Sequence, residues 1–189
     1  MNFLGHLYFS NNDLELMYSN LFGDYVKGKD YTHYPKKLQN GITLHREIDH
    51  YIDSHPRVLE LLRTLYPKLP KISGIAVDLY FDHILARRWN EFHSTDLRTF
   101  VNEFYNYNPK HENHYSTEFK FLIEKMKEYD WIYRYKEFEG LDSACKGLSK
   151  RISFENSLAS APTVFLQLES EIESTFDAFL KEAKLTFKH

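Results

Sequence analysis

The sequence predicts an all-α fold, and three observations carry that prediction. Apolar residues recur at helical spacing along most of the chain. No segment combines period-two alternation with the turn chemistry of a β-hairpin. Glycine and proline are scarce, with seven and six residues among 189, as in chains built of helices with short connections. The length and a composition that is 42% hydrophobic and 27% charged favour one domain over residues 1–189.

Caps and breakers mark the first three predicted helices. The Asn-Asn-Asp run at residues 11–13 can cap a helix over about residues 14–26, which Gly28 then ends. After a loop, a second helix is predicted over about residues 36–53, weakened locally by Gly41. Pro56 suits a first helical position and opens a third helix through Leu65.

The remaining chain continues the helical pattern. A long apolar segment predicts a helix over about residues 72–89, and Asp96 can cap the next one through Tyr105. An apolar stripe around residues 119–126 and a run after Pro162 predict two further helices. We also interpret Asp130 as a helix cap rather than a ligand.

Composition limits the compartment and the partners. Cys145 is the single cysteine, which excludes an intramolecular disulfide, fits a reducing compartment and suggests a buried small hydrophobe. No apolar run approaches the ~18 residues of a membrane span, and a basic signal-peptide start is absent. We therefore expect a cytoplasmic protein without a membrane partner. A net charge of −3 also argues against nucleic acid as the main ligand.

Three segments place polar, ligand-capable side chains among bulky apolar residues. Within each segment these side chains stand one helical turn apart: Asn20 with Asp24, His45 with Asp49 and Asp53, and Asp78 with Asp82. Such pairs on packed helices can present two groups to one metal ion. Imidazole mixed with carboxylate suits Mn²⁺, Fe²⁺ or Zn²⁺ better than Ca²⁺. The competing interpretation is a solvated helix face, and spacing alone leaves both open.

Several blocks of the sequence resemble one bacterial family. Residues 1–7 (MNFLGHL) and 19–28 (SNLFGDYVKG) are similar to the start of the acyl carrier protein phosphodiesterases. The blocks containing His45-Arg46 with Asp49, and Asp78 with Asp82-His83, continue the match in order. Weaker matches follow at residues 131–135 and 147–151, so the similarity spans nearly the whole chain.

The resemblance implies an enzyme that hydrolyses the phosphodiester between 4′-phosphopantetheine and a serine of holo-acyl carrier protein. It also implies an HD-domain-like helical bundle and a divalent metal, most often Mn²⁺. The implied metal ligands belong to the set Asp24, His45, Asp49, Asp82 and His83. The implied catalytic groups are Asp24, Arg46 on the phosphate, and His6 or Asp78 as orienting groups or proton carriers. The Asp82-His83 order reverses the usual HD dipeptide, so the usual HD ligands do not transfer one to one.

The substrate partner and the alternatives follow from the same reasoning. Holo-acyl carrier protein is acidic, so we expect a locally basic docking surface, with Lys27, Lys29, Lys36 and Lys37 as candidates. One alternative is a metal-dependent phosphohydrolase acting on a nucleotide or small phosphodiester. A second alternative, from another class, is a non-catalytic helical module that binds a carrier protein.

Overall fold

The computed structural model describes residues 1–187, and within that range the chain is helical without any β-strand. This confirms the all-α prediction. The α-helices, in chain order, are α1 (Phe3–Tyr8), α2 (Leu14–Phe22), α3 (Lys36–Ser54), α4 (Pro56–Leu65), α5 (Ser73–Arg87), α6 (Trp89–Phe92), α7 (Leu97–Asn106), α8 (Thr117–Glu128), α9 (Trp131–Arg134), α10 (Phe138–Ser149) and α11 (Ala161–Thr186). Among the described helices, none has both the length and the apolar character needed to cross a bilayer.

Helices that carry their own start signals begin where the sequence predicts. The Asp13 side chain accepts a hydrogen bond from the Leu16 backbone N–H at 3.0 Å, which caps α2. Asp96 caps α7 in the same way, and Pro56 occupies the first position of α4. α2 is shorter than predicted, because after Phe22 the backbone tightens into a 3₁₀ turn, Gly23–Tyr25.

Other elements differ from the prediction. Asp130 precedes α9 with a left-handed backbone (φ 51°), and its side chain makes no cap bond. Its carboxylate instead accepts from Arg98 at 2.8 Å, so the interpretation of Asp130 as a cap is wrong. The segment predicted as one helix over residues 72–89 breaks at Arg88 into α5 and α6. The short helices α1 and α9, and the longer α10, were not predicted.

α5 is the central helix of the fold. Eleven of its fifteen residues are buried, and it packs against α1, α4, α10 and α11. At one contact, the Tyr80 hydroxyl donates to the Ala161 carbonyl oxygen at 2.6 Å. Polar side chains on α5 therefore face protein on most sides of the helix.

α2 and α3 pack side by side, and a glycine sets their separation. A Cβ added at Gly41 of α3 would overlap both the side chain and the backbone carbonyl carbon of Ser19 on α2. Gly41 thus permits the close approach of these helices, although glycine disfavours helix formation by itself. The contact matters because α2 carries Asn20, and α3 carries the polar segment with His45 and Asp49.

Candidate active site

A pocket of about 520 Å³ opens where α1, α3 and α5 meet the turn after α2. Its apolar lining comes from residues such as Phe3, Ile52 and Leu79. The side chains that line it and can carry a charge near neutral pH are His6, Asp24, His45, Asp49, Asp53, Asp78 and Arg151. Four carboxylates against one guanidinium and the Met1 α-amino group give this lining an excess of negative charge.

Three of these side chains form a compact cluster. His6 Nε2 lies 3.2 Å from Asp49 Oδ1, and His45 Nε2 lies 3.2 Å from Asp49 Oδ2. The two imidazole rings stack, with centroids 4.2 Å apart and an interplanar angle of 17°. One nitrogen or oxygen from each of the three residues lies within 4.8 Å of the others. The histidines are buried and Asp49 is half-exposed, so the cluster faces the pocket from its wall.

Asn20 fixes the orientation of His6. The Asn20 side-chain amide donates to the His6 carbonyl oxygen at 2.9 Å and to Ser10 Oγ at 3.1 Å. Its remaining atom, Oδ1, lies 3.0 Å from His6 Nδ1 and can only accept. The proton of a neutral His6 ring therefore resides on Nδ1, which leaves a lone pair on Nε2.

This arrangement sets two hydrogen-bond acceptors against each other, since Nε2 of neutral His6 faces an Asp49 carboxylate oxygen. A proton or a cation between them would relieve that contact. Burial lowers the pKa of His6, which disfavours the imidazolium form. Burial also raises the pKa of Asp49, but contacts with His45 and His6 outweigh it and hold that pKa well below its ordinary value. The donor set of two imidazoles and a carboxylate therefore fits a divalent cation.

His45 is held by packing. A Cβ added at Gly23 would overlap the His45 side chain, so the glycine lets the 3₁₀ turn lie directly against the imidazole. His45 Nδ1 is buried and has no hydrogen-bond partner within residues 1–187. The same turn places Asp24 at the exposed rim of the pocket.

Two further carboxylates line the pocket beside the cluster. Asp78 pairs with the α-amino group of Met1 at 3.0 Å. Asp53 lies at the exposed edge of the pocket. Burial and the charges of Asp78 and Asp49 raise the pKa of Asp53, so the carboxylates here repel one another.

The structure does not bring Asp82 and His83 to the cluster. Asp82 is fully buried on α5, where its two oxygens accept the Leu4 and Gly5 backbone N–H groups at 2.7 and 3.0 Å. It thereby caps α1 from another helix, and burial raises its pKa to about 7. His83 Nδ1 lies 2.6 Å from the Tyr135 carbonyl oxygen, and His83 does not line the pocket. The Asp82 and His83 side chains therefore both contact backbone groups of neighbouring segments.

Arg46 is similarly engaged outside the pocket. Its guanidinium donates to the Val26 and Gly28 carbonyl oxygens, at 3.1 and 2.7 Å, and lies over the Tyr31 ring. Arg151 takes the position expected of a phosphate-binding cation, since it is exposed on the pocket wall. It forms no salt bridge with any residue that the structure describes. The sequence match at residues 147–151 was the signal that could have identified it.

Fold and pocket together define an all-helical protein with an imidazole- and carboxylate-lined candidate active site. The family model described as acyl carrier protein phosphodiesterase matches residues 1–183. The chain therefore belongs to the acyl carrier protein phosphodiesterase family, a family of enzymes, as the sequence blocks predicted.

Curated relatives with that name extend the match. The acyl carrier protein phosphodiesterase of Yersinia pestis is 28% identical over 181 residues, which cover 95% of this chain and 92% of the relative. The one of Salmonella agona is 29% identical over 153 residues, covering 80% and 79%. No solved structure matches the chain significantly. The HD-domain-like arrangement therefore stays a prediction.

Proposed function

We propose that this protein hydrolyses the phosphodiester between 4′-phosphopantetheine and the serine of holo-acyl carrier protein. Water attacks the phosphorus, the bond from phosphorus to the serine oxygen breaks, and the products are apo-carrier protein and free 4′-phosphopantetheine. Family membership supports the class of reaction. The observation that carries the site is the cluster of His6, His45 and Asp49 on the wall of an acidic pocket.

A divalent cation, with Mn²⁺ the first candidate, belongs to the same proposal. His6, His45 and Asp49 would hold it, with Asp24 at the rim as a further oxygen donor. When bound there, the ion supplies Lewis acidity toward water and a phosphoryl oxygen. The charge balance supports this proposal, because a phosphodiester anion would otherwise meet four carboxylates, with only Arg151 and the Met1 α-amino group as cations, in the same pocket.

The remaining pocket residues have separate roles in the proposal. Arg151 binds the phosphate, since it is a cation on the wall without a salt bridge in the described range. Asp53 gives a proton to the departing serine oxygen, a role that suits a carboxyl whose pKa is raised by burial and like charge. Asn20 keeps His6 in the tautomer that turns a lone pair to the pocket.

The docking surface for the acidic carrier protein lies beside the rim. Lys27 and Lys29 are exposed directly after the turn that carries Asp24. Lys36 is also exposed, whereas Lys37 forms an ion pair with Asp13 that offsets its charge. We propose that Lys27, Lys29 and Lys36 steer the carrier protein, and that higher salt lowers kcat/KM by screening them.

Intact-mass spectrometry tests the proposed reaction. Enzyme, Mn²⁺ and holo-acyl carrier protein are incubated, and the carrier protein should lose the mass of its prosthetic arm. Asp49→Asn should abolish that loss, whereas Asp142→Asn, which removes a half-buried carboxylate on α10 that pairs with Lys146 outside both pockets, should leave it intact. Hydrolysis of a nucleotide panel without loss of the arm would favour the small-phosphodiester alternative. Inertness toward both substrates would favour the binding module.

A further inference from the structure

A second pocket of about 390 Å³ adjoins the candidate active site. Both pockets are lined by Asn2, Phe3, Leu79, Leu148 and Arg151, so they meet along a shared wall. Beyond that wall the second pocket is lined by side chains of α9 and α10, among them Trp131 and Ala144. Apart from Arg134 and Arg151, its lining has no charged side chain and is mostly apolar, in contrast to the carboxylates and imidazoles of the candidate active site.

We propose that this second pocket, here called the arm pocket, receives the pantetheine arm while the phosphate lies beside Arg151. The proposal rests on the proposed function and extends it to how the substrate is recognised. Beyond the phosphate ester, the arm has a carbon bearing two methyl groups, then two amides and a thiol. Phe3, Leu79 and Leu148 at the shared wall match the methyl-bearing part. Ser143 on the exposed side offers a hydroxyl to the amides.

The shared wall and the volume of the arm pocket favour the pantetheine arm as its occupant. Because the pockets share their wall, a group joined to a phosphate bound beside Arg151 can extend into the arm pocket. The two groups joined to it are the carrier-protein serine and the arm. A helix with its side chains is about 10 Å across, too wide for a pocket of this volume, whereas a flexible arm fits. Arg151 stands where the two pockets meet, next to the charged end of the arm.

Gly147 provides a clean way to fill the arm pocket. It lines that pocket from α10, it is exposed, and a Cβ added there meets no atom within 4 Å. The Cβ of Gly147→Leu therefore meets no protein atom, and the rest of the leucine side chain should extend into the pocket. Ser143→Phe, one turn earlier on the same helix, is an independent second variant. Gly74→Leu is the matched control, because its Cβ also meets open space and Gly74 is absent from the lining of both pockets.

The experiment measures kcat/KM on holo-acyl carrier protein and the affinity for free 4′-phosphopantetheine by calorimetry, both with Mn²⁺ present. We expect Gly147→Leu and Ser143→Phe to weaken both quantities by about tenfold or more, and Gly74→Leu to keep wild-type values. Helical content and bound Mn²⁺ should stay unchanged in all three variants, which separates loss of the arm pocket from loss of the fold or the ion.

The outcomes separate this proposal from the proposed function. If wild type removes the arm and both arm-pocket variants do so equally well, the arm pocket is wrong and the proposed function stands. If wild type does not act on the carrier protein but binds 4′-phosphopantetheine, and Gly147→Leu loses that binding, the function is wrong and the arm pocket stands. If wild type neither acts nor binds, both are overturned.

Discussion

Replacing Gly41 by alanine tests whether the approach of α2 to α3 shapes the candidate site. Alanine is better than glycine inside a helix by about 1 kcal/mol, so helix propensity alone predicts a more stable protein. The structure predicts the opposite, because the new Cβ would overlap the Ser19 side chain and backbone carbon. A side chain can rotate away, but the backbone carbon moves only with α2.

The magnitude follows from these two effects. Inserting a methyl group into a well-packed contact costs about 1–3 kcal/mol, and the backbone overlap at Ser19 favours the upper end. After subtraction of the propensity gain of about 1 kcal/mol, Gly41→Ala should lower the free energy of unfolding by about 2 kcal/mol. In a chain of this size, that corresponds to a Tm lower by about 4–8 °C.

Gly147→Ala is the matched control for the Gly41 substitution. Gly147 is also helical, but its Cβ meets nothing within 4 Å, so alanine should raise the Tm by about 2–4 °C. Scanning calorimetry and urea unfolding of both variants measure the contrast. Because α2 carries Asn20 and α3 carries His45, Gly41→Ala should also weaken Mn²⁺ binding. Equal stabilisation by both alanines would refute the close-packing account.

Three further predictions concern single side chains. Asn20→Ala removes the acceptor that orients His6 and should weaken Mn²⁺ binding about 10–100-fold by calorimetry; unchanged affinity would contradict the tautomer assignment. Arg151→Ala should raise KM for holo-carrier protein. Arg46→Ala should instead lower the Tm, because Arg46 donates hydrogen bonds to loop carbonyls. The reverse pattern would show that Arg46, and not Arg151, binds the phosphate. Burial raises the pKa of Cys145 to about 12. The thiol of the folded protein should therefore stay protonated and unreactive toward a disulfide reagent at pH 8 until denaturant is added. Rapid reaction of the native protein would contradict this burial of Cys145.

Local signals explain which helices the sequence could predict. Asp13 and Asp96 cap their own helices, so both starts are visible in a short stretch of sequence. α1 has no cap from its neighbours in sequence, because its N–H groups are satisfied by Asp82. A hydrogen bond between residues 78 positions apart leaves no local pattern to read. α1 and the placement of His6 therefore depend on tertiary structure.

The one-turn spacing of polar residues also identified the polar segments, but it did not show whether their side chains face the pocket or the protein interior. His45 and Asp49 reach the pocket as their shared stripe on α3 predicted. Asp78 and Asp82 have the same spacing on α5, but that helix is covered on most sides, so the Asp82 and His83 side chains bind the backbone of neighbouring segments. Sequence periodicity identifies a helix face, and packing decides what lies opposite it. Arg46 and Arg151 show the same limit, since sequence position did not separate a loop anchor from a pocket cation.

Mn²⁺ titration of the purified protein is the most direct test of the central claim, that His6, His45 and Asp49 hold the ion used in hydrolysis. Calorimetry should show saturable binding to wild type, a loss of about 100-fold in affinity for Asp49→Asn, and near wild-type affinity for His83→Ala. His83 is the informative contrast, because the sequence placed it among the ligands and the structure places it against the Tyr135 carbonyl. Full affinity in Asp49→Asn together with lost affinity in His83→Ala would contradict the account.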